Sequence, residues 1–418
     1  MTPEGWQRRQ IREFSSRLKR VNTDAVDMEP LSITKDRGVI LQSQKYNKRI
    51  ATDPRKYVIA EDGDFAFDPM SLYYGSIGQV RGVGRGLVSP DYVVFAADRS
   101  VDADFLHYLL RYPEMHKTYE SLSETGNSFG KRRRLYWSIF EDIELTLPPL
   151  PEQRKIAAIL SSVDDAIDKT QAVIDQLAVV KKAMMQELLT KGLPGRHTRF
   201  KKTEIGMVPE EWEVLQLVQL LDGIDAGWSP QCDGLPASLS EWGVLKVSAV
   251  SWGEFRPDEN KRLPASFKPR PAIEVGEGDV LISRANTPDL VGRSVLVRAT
   301  RPRLMLSDKL LRLRVGNRAD PAFVNLCLGT PISRAQIEDG ATGSSKSMKN
   351  ISQAALRDVV VPVPSIEEQK RISAFVEALD VRTAAEQHAL TGIRAVKAAL
   401  MSVLLTGEVR VTPDEDAA

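Results

Sequence analysis

The chain has 418 residues but only two cysteines, Cys232 and Cys327, and four histidines. No cysteine lies at metal-ligand spacing from another, and none of the histidines (His107, His116, His197, His388) pairs with a neighbouring ligand. A metal site is therefore not expected, and free thiols point to a reducing cytoplasm. No apolar run approaches the roughly 18 residues that would span a membrane. Met1 to Arg12 is polar and charged, so no secretory leader is expected. The charge is nearly balanced, 57 basic against 56 acidic residues for a net of +1. That excludes a strongly basic domain that coats nucleic acid everywhere, but not local basic clusters, because phosphate contact depends on where charge sits. Motifs of chemistry are missing too. There is no phosphate-gripping loop with its lysine, no cofactor-binding glycine motif and no Asn/Asp-Pro-Pro-aromatic run. Arg81-Gly82-Val83-Gly84-Arg85-Gly86 lacks the strand-turn-helix frame of a dinucleotide site. The chain does not read as an enzyme.

What is present is a long internal repeat. Leu145 through Pro148, Glu152-Gln153-Arg154-Lys155-Ile156, Leu160, Val163-Asp164 and Leu188-Leu189-Thr190 is matched by Val361 through Pro364, Glu368-Gln369-Lys370-Arg371-Ile372, Val376, Leu379-Asp380 and Leu404-Leu405-Thr406. The offset, 216 residues from Gln153 to Gln369, is too long for a solenoid. It marks a duplicated unit of one domain plus one helix.

Both copies carry a heptad pattern. Ile156, Val163, Thr170, Leu177 and Met184 alternate with Leu160, Ile167, Ile174, Lys181 and Leu188. Ile372, Leu379, Glu386, Ile393 and Leu400 alternate with Val376, Thr383, Leu390, Lys397 and Leu404. Seams sustained this long predict two long helices that pair with each other, with Lys181 and Lys397 as polar seam positions that fix register. Ser365 and Glu368 form a predicted capping box, Pro151 suits a first helical turn, and Gly192 with Pro194 closes the first helix. A mixed segment of short β-branched runs precedes each helix, for example Tyr57–Ala60 and Leu310–Val315, as expected of an α+β domain. Further echoes link the segments: Trp6 with Trp212, Gly63-Asp64 with Gly278-Asp279, and Thr125-Gly126-Asn127-Ser128 with Thr342-Gly343-Ser344-Ser345. The order of echoes is nearly cyclic, so the termini are expected to meet at one end of the helical pair, opposite the linker.

The predicted organisation is α+β: two tandem α+β domains and two long antiparallel coiled-coil helices about a pseudo-twofold axis. Residues 1–147 form the first domain, 148–192 the first helix, 193–361 the linker and second domain, 362–410 the second helix and 411–418 a tail.

Taken together, Pro148 to Ile156, Val361 to Ile372, Lys201 to Trp212, Gly278 to Arg284 and Gly86 to Tyr92 resemble the specificity subunit of type I restriction–modification systems over nearly the whole length. The resemblance implies that each α+β segment is a target recognition domain reading one half of a split double-stranded DNA site. It implies that the helices set the half-site spacing and dock two methyltransferase subunits, and that restriction subunits join through that core. S-adenosylmethionine, ATP and magnesium are then expected on the partner subunits and not on this chain. Related but divergent domains predict an asymmetric target.

Candidate DNA contacts follow from local chemistry. Lys131, Arg132, Arg133 and Arg134, next to Tyr136, form the densest basic run, suited to phosphate clamping or guanine readout. Ser344, Ser345, Lys346 and Lys349 occupy the matching place in the second copy. Arg81 and Arg85 sit in a flexible basic loop, and Arg284 with Asn286 follows a strand and has side chains able to read guanine and adenine. Each of these also reads as an ordinary solvated turn. Tyr73 and Tyr74 are expected in the core. Near-neutral charge keeps a second reading open, a protein-interaction scaffold of the same descent that no longer binds DNA.

Overall fold

The computed structural model describes residues 2–46, 53–125, 133–232, 234–345 and 348–412. Two compact units divide the chain, one built from 1–172 with 387–418 and the other from 173–386. The division falls within the first long helix, Leu150–Lys191, and within the second, Ile366–Leu404. Each unit thus combines one α+β domain with part of both helices.

The four-stranded sheet of unit 1 is built from β1 (Ser15–Leu18), β2 (Phe65–Phe67), β3 (Ile77–Gln79) and β4 (Val93–Ala97), followed by helices α1 (Ala103–Leu110) and α2 (Pro113–Leu122) and a short hairpin, β5 (Glu124–Thr125) and β6 (Arg133–Arg134). The sheet order is β1-β4-β2-β3, antiparallel throughout. Phe65, Phe67 and Phe95 from its strands meet Phe140 and Trp137, with Phe65 stacked on Phe95 at 5.2 Å. The same core takes in Ile156, Ala157 and Leu160 of the first long helix and Leu404 and Leu405 of the second.

Unit 2 repeats the plan with β7 (Leu221–Ala226), β8 (Val280–Ser283), β9 (Ala285–Asn286), β10 (Ser294–Leu296) and β11 (Leu310–Val315), then α3 (Pro321–Leu328), α4 (Pro331–Gly340), β12 (Ala341–Ser345) and β13 (Met348–Ile351). Its sheet order, β7-β11-β8-β10, has the same topology as that of unit 1. Leu188, Leu189, Ile372 and Val376 of the long helices enter its core.

The heptad seam reads through to burial. Every seam position named above in both helices is buried or half-buried, whereas the neighbours Arg154, Lys169, Arg371 and Arg394 are exposed. The polar seam residues are paired at repeat-equivalent places. Lys397 meets Asp164 inside unit 1, and Lys181 meets Asp380 inside unit 2. A paired charge at a seam costs stability against an apolar residue but penalises slipped registers.

The Glu-Gln motif acts as a clasp in each unit. Gln153 accepts from the Asp102 N–H at 2.8 Å and donates to the Pro148 carbonyl at 2.8 Å. Gln369 does the same with the Asp320 N–H and the Pro364 carbonyl, at 2.8 and 2.9 Å. Asp102 and Asp320 are the N-caps of α1 and α3, so the glutamine joins the start of a long helix to a capped domain helix. The preceding glutamate grips the chain that leaves a long helix. Glu152 accepts from Arg410 at 2.7 and 2.8 Å, while Glu368 accepts from Leu193 N–H at 3.2 Å and Trp212 Nε1 at 3.3 Å. His197 Nε2 lies 2.9 Å from Glu368, and its Nδ1 lies 3.0 Å from Glu211. Glu368 therefore completes only half of the expected capping box: Ser365 Oγ accepts the Glu368 N–H at 3.4 Å, but the carboxylate turns to the incoming linker.

Other echoes also acquire causes. Trp6 packs with Leu404 and Leu405, and Trp212 with Leu188 and Leu189, each indole closing the end of a long helix. Asp64 accepts from the Glu61 N–H and pairs with Arg20; Asp279 accepts from the Gly276 N–H and pairs with Arg312. These carboxylates are turn-formers. The termini do approach each other, as Arg410 donates to the Glu4 carbonyl at 2.6 Å.

Candidate nucleic-acid interface

In unit 1 the β5–β6 hairpin continues from α2 and is hooked back by the Leu135 N–H, which donates to the Pro69 carbonyl at 3.0 Å. In unit 2 the Ile351 N–H donates to the Arg284 carbonyl at 2.9 Å, and β9 adds to β13 through Ala285 opposite Asn350 and Asn286 opposite Lys349. Pro69 lies where Arg284 lies in the other copy, and no strand matching β9 forms between Pro69 and β3. The two hairpins therefore share an anchor but present different side chains.

Unit 1 presents a ladder of arginines and aromatics. Arg133 donates to Glu120 Oε1 at 2.9 Å and lies 5.9 Å over the Tyr73 ring. Tyr73 packs against Tyr74 with ring centroids 4.0 Å apart, and Arg134 lies 5.7 Å over Tyr136. Burial within the core, expected for the tyrosine pair, holds only for part of Tyr73; Tyr74 is 56% exposed. A hydrogen bond to Tyr74 leads the effects that hold the Tyr73 phenol above its ordinary value, so it stays a neutral donor–acceptor. Planar guanidinium groups over rings are held flat and half-desolvated, a state suited to base edges and phosphates.

Arg81 and Arg85, expected as groove contacts, are engaged within the fold. Arg81 donates to Gln79 and Asp104, both at 2.7 Å, and Arg85 pairs with Glu61, which also holds Arg20. Lys131 and Arg132 lie outside the described residues, as does Lys346. Ser344 and Ser345 belong to β12.

In unit 2 Arg284 is exposed. Lys349 is half-buried, with its ammonium 3.5 Å from the Gly343 carbonyl. Asn286, expected to read adenine, is instead buried: its amide donates to Ser251 Oγ at 3.1 Å and its oxygen accepts from the Thr287 N–H. Both ends of the carboxamide are spent holding the neighbouring loop. That loop carries Trp252, 60% exposed with Arg256 5.9 Å over its ring. Sequence reasoning missed this pair because no periodicity separates an exposed loop tryptophan from a core one.

Comparison with known proteins fits this arrangement. Residues 3–178 match the family described as type I restriction modification DNA specificity domain. The matched segment is thus similar to the DNA specificity domain of that family. It is 37% identical over 172 residues to the specificity subunit of the type I restriction enzyme EcoEI of Escherichia coli, a match covering 41% of this chain and 29% of that one. It is 29% identical to the MjaVIII specificity subunit of Methanocaldococcus jannaschii, covering 65% of this chain and 64% of the relative. The chain thus spans less than two thirds of the length of either relative. Among solved structures, the S subunit from M. genitalium aligns over 96% of both chains with a TM-score of 0.54 at 13% identity. A chain from a type I R-M system aligns over 98% of this chain and 100% of its own, with a TM-score of 0.52 at 18% identity. These likenesses carry the fold. Among the described residues no helix is long and apolar enough to cross a membrane, and no cluster of potential ligands could hold a metal ion.

Proposed function

We propose that this chain is the sequence-reading, non-catalytic subunit of a cytoplasmic type I restriction–modification complex. Unit 1 and unit 2 each read one half of an asymmetric bipartite site in double-stranded DNA. The long helices set the half-site spacing and dock two methyltransferase subunits, which hold S-adenosylmethionine; restriction subunits that join use ATP and magnesium.

The observation that supports this best is a repeated framework with divergent hairpin chemistry. The clasp glutamines, capped helices, sheet order and hairpin anchor recur, while the hairpin side chains change from Arg133-Arg134 to Lys349-Asn350. Phosphate contacts position a duplex and base contacts specify it, so divergent hairpin side chains on a constant frame are what two different short targets require.

Co-expression with the accompanying methyltransferase subunit, followed by single-molecule sequencing of methylated adenines, tests the reading. A split motif with a fixed gap that vanishes when this chain is deleted is expected. A stable complex with no motif would overturn it in favour of a protein-interaction scaffold.

A further inference from the structure

The loop between β2 and β3 in unit 1 and the loop between β8 and β10 in unit 2 occupy the same place in the shared frame, and they differ in one respect that frame does not explain. Each is pinned to the following helices by a glycine with positive φ. Gly75 (φ 92°) lies so close to α2 that an added Cβ would sit 2.3 Å from His116 Nε2, and Gly292 (φ 68°) so close to α4 that one would sit 2.3 Å from Ile337 Cγ2. In unit 2 the residues before the glycine turn inward, with Val291 1% exposed. In unit 1 the residue before the glycine is Tyr74, and it turns outward. Its neighbour Leu72 is fully buried and fixes the turn, Tyr73 backs the Tyr74 ring, and Arg133 reaches Tyr73 from the hairpin.

At 56% exposure Tyr74 gains less from burial than a core aromatic would, and its stack on Tyr73 holds the side chain while leaving much of it open to a partner. We propose that Tyr74 is a specificity-determining residue of unit 1, placing its ring against the 5-methyl group of a thymine in the major groove. The proposal rests on the DNA-reading function above. Apolar contact with that methyl is the one feature of a T·A pair that a ring face recognises without a hydrogen-bond partner. Tyr73 and Arg133 are positioning residues: they hold the ring and do not themselves read the base.

The test uses the full complex with its methyltransferase subunits, assayed by sequencing of methylated sites and by binding to duplexes in which each thymine of the unit 1 half-site is replaced in turn by deoxyuridine. One such replacement is expected to weaken binding of the wild type by about fourfold, the value of one buried methyl. Tyr74→Ala is expected to lose at least that much and to become indifferent to the same replacement. Its methylation motif should relax at one position of one half-site, with the other half and the gap unchanged. Tyr74→Phe, which keeps the ring, should behave as wild type and guards against a folding defect. A wild-type complex that yields a motif but shows no deoxyuridine effect, or a Tyr74→Ala motif identical to the wild type, overturns the assignment of Tyr74 alone. A wild-type complex with no motif overturns the DNA-reading function instead.

Discussion

Glu368 is the most heavily committed carboxylate in the described structure, and removing it should be felt more than removing its repeat-mate Glu152. The Glu368 side chain is 2% exposed and receives the Leu193 N–H and the Trp212 indole N–H, with His197 and Arg196 beside it. Glu368→Ala would leave one buried donor, the Trp212 indole, and one half-buried donor, the Leu193 N–H, without an acceptor, at about 1–3 kcal/mol each. Some of that is offset because a buried carboxylate no longer has to be desolvated, so a net loss of about 2–4 kcal/mol is expected. Glu152 is as buried, but its principal partner Arg410 has 43% of its side chain exposed and can turn to water. Nor does Trp6 depend on Glu152, since its indole N–H has no acceptor among the described residues. Urea unfolding followed by circular dichroism, with hydrogen exchange to localise the change, is the assay. Glu368→Ala should lower the midpoint markedly and loosen unit 2, and Glu152→Ala should do clearly less to unit 1. Equal effects, or a Glu368→Ala cost below about 1 kcal/mol, would refute the orphaned-donor argument.

Three smaller expectations follow from unit 1. His107 is half-buried with Nδ1 accepting from the Gln79 N–H, and desolvation, helped by Arg81, Arg111 and Lys397, holds its pKa well below the ordinary value. The unfolded chain then binds the extra proton first, so stability is full above about pH 6.5 and falls below it, by at most about 1.4 kcal/mol per pH unit. Melting curves between pH 7.5 and 5.5 should show this slope, and His107→Gln should flatten it; an unchanged slope would exclude His107 as its source. Tyr108 donates to Asp164 at 2.8 Å, and α3 carries Leu326 at the matching position. Tyr108→Phe should cost about 1 kcal/mol by urea unfolding, the lower end for a charged acceptor because Asp164 reaches water, and no measurable change would mean that water replaces the phenol freely. In DNA binding, Arg134→Ala should reduce the slope of log affinity against log salt by about 1, while Arg85→Ala, whose guanidinium faces Glu61, should leave it unchanged. The reverse order would move the interface to the Arg81–Arg85 loop.

What the sequence made legible was whatever rests on spacing. The seam from Ile156 to Leu188 and from Ile372 to Leu404 follows from a seven-residue period, and Gly63-Asp64 follows from turn chemistry, so both survive translation into coordinates. Partner choice is different. That Glu368 reaches out to Leu193 and Trp212, and not back to its own helix end, depends on where a segment 175 residues away arrives. Asn286 looked like a reader because the sequence could not show Ser251 waiting beside it. Tyr74 looked like core because an aromatic pair next to a buried leucine is core in most folds, and nothing in the spacing shows that only Tyr73 of the pair packs on the core cluster. Burial partners, which periodicity does not specify, likewise decide which part of a long helix belongs to which unit.

Unit 1 is assembled from both ends of the chain, and that has a consequence for truncation. Ile156, Ala157 and Leu160 share a core with Leu404 and Leu405, while Arg410 closes over Glu152 and Glu4. A chain ending at residue 386 keeps every domain residue of unit 1 yet loses this cover. Leu404 and Leu405, 2% and 4% exposed, each contribute about 1.5–3 kcal/mol by burial, before the lost clasp is counted. Unit 2 lies wholly within residues 173–386 and should keep its own core. Hydrogen exchange on the truncated protein should therefore show rapid exchange through 150–172 and the α1 region, with protection retained in β8, β11 and α3. Protection preserved throughout unit 1 would mean that its domain folds on the first long helix alone, and that the C-terminal segment is an ornament of this core and not part of it.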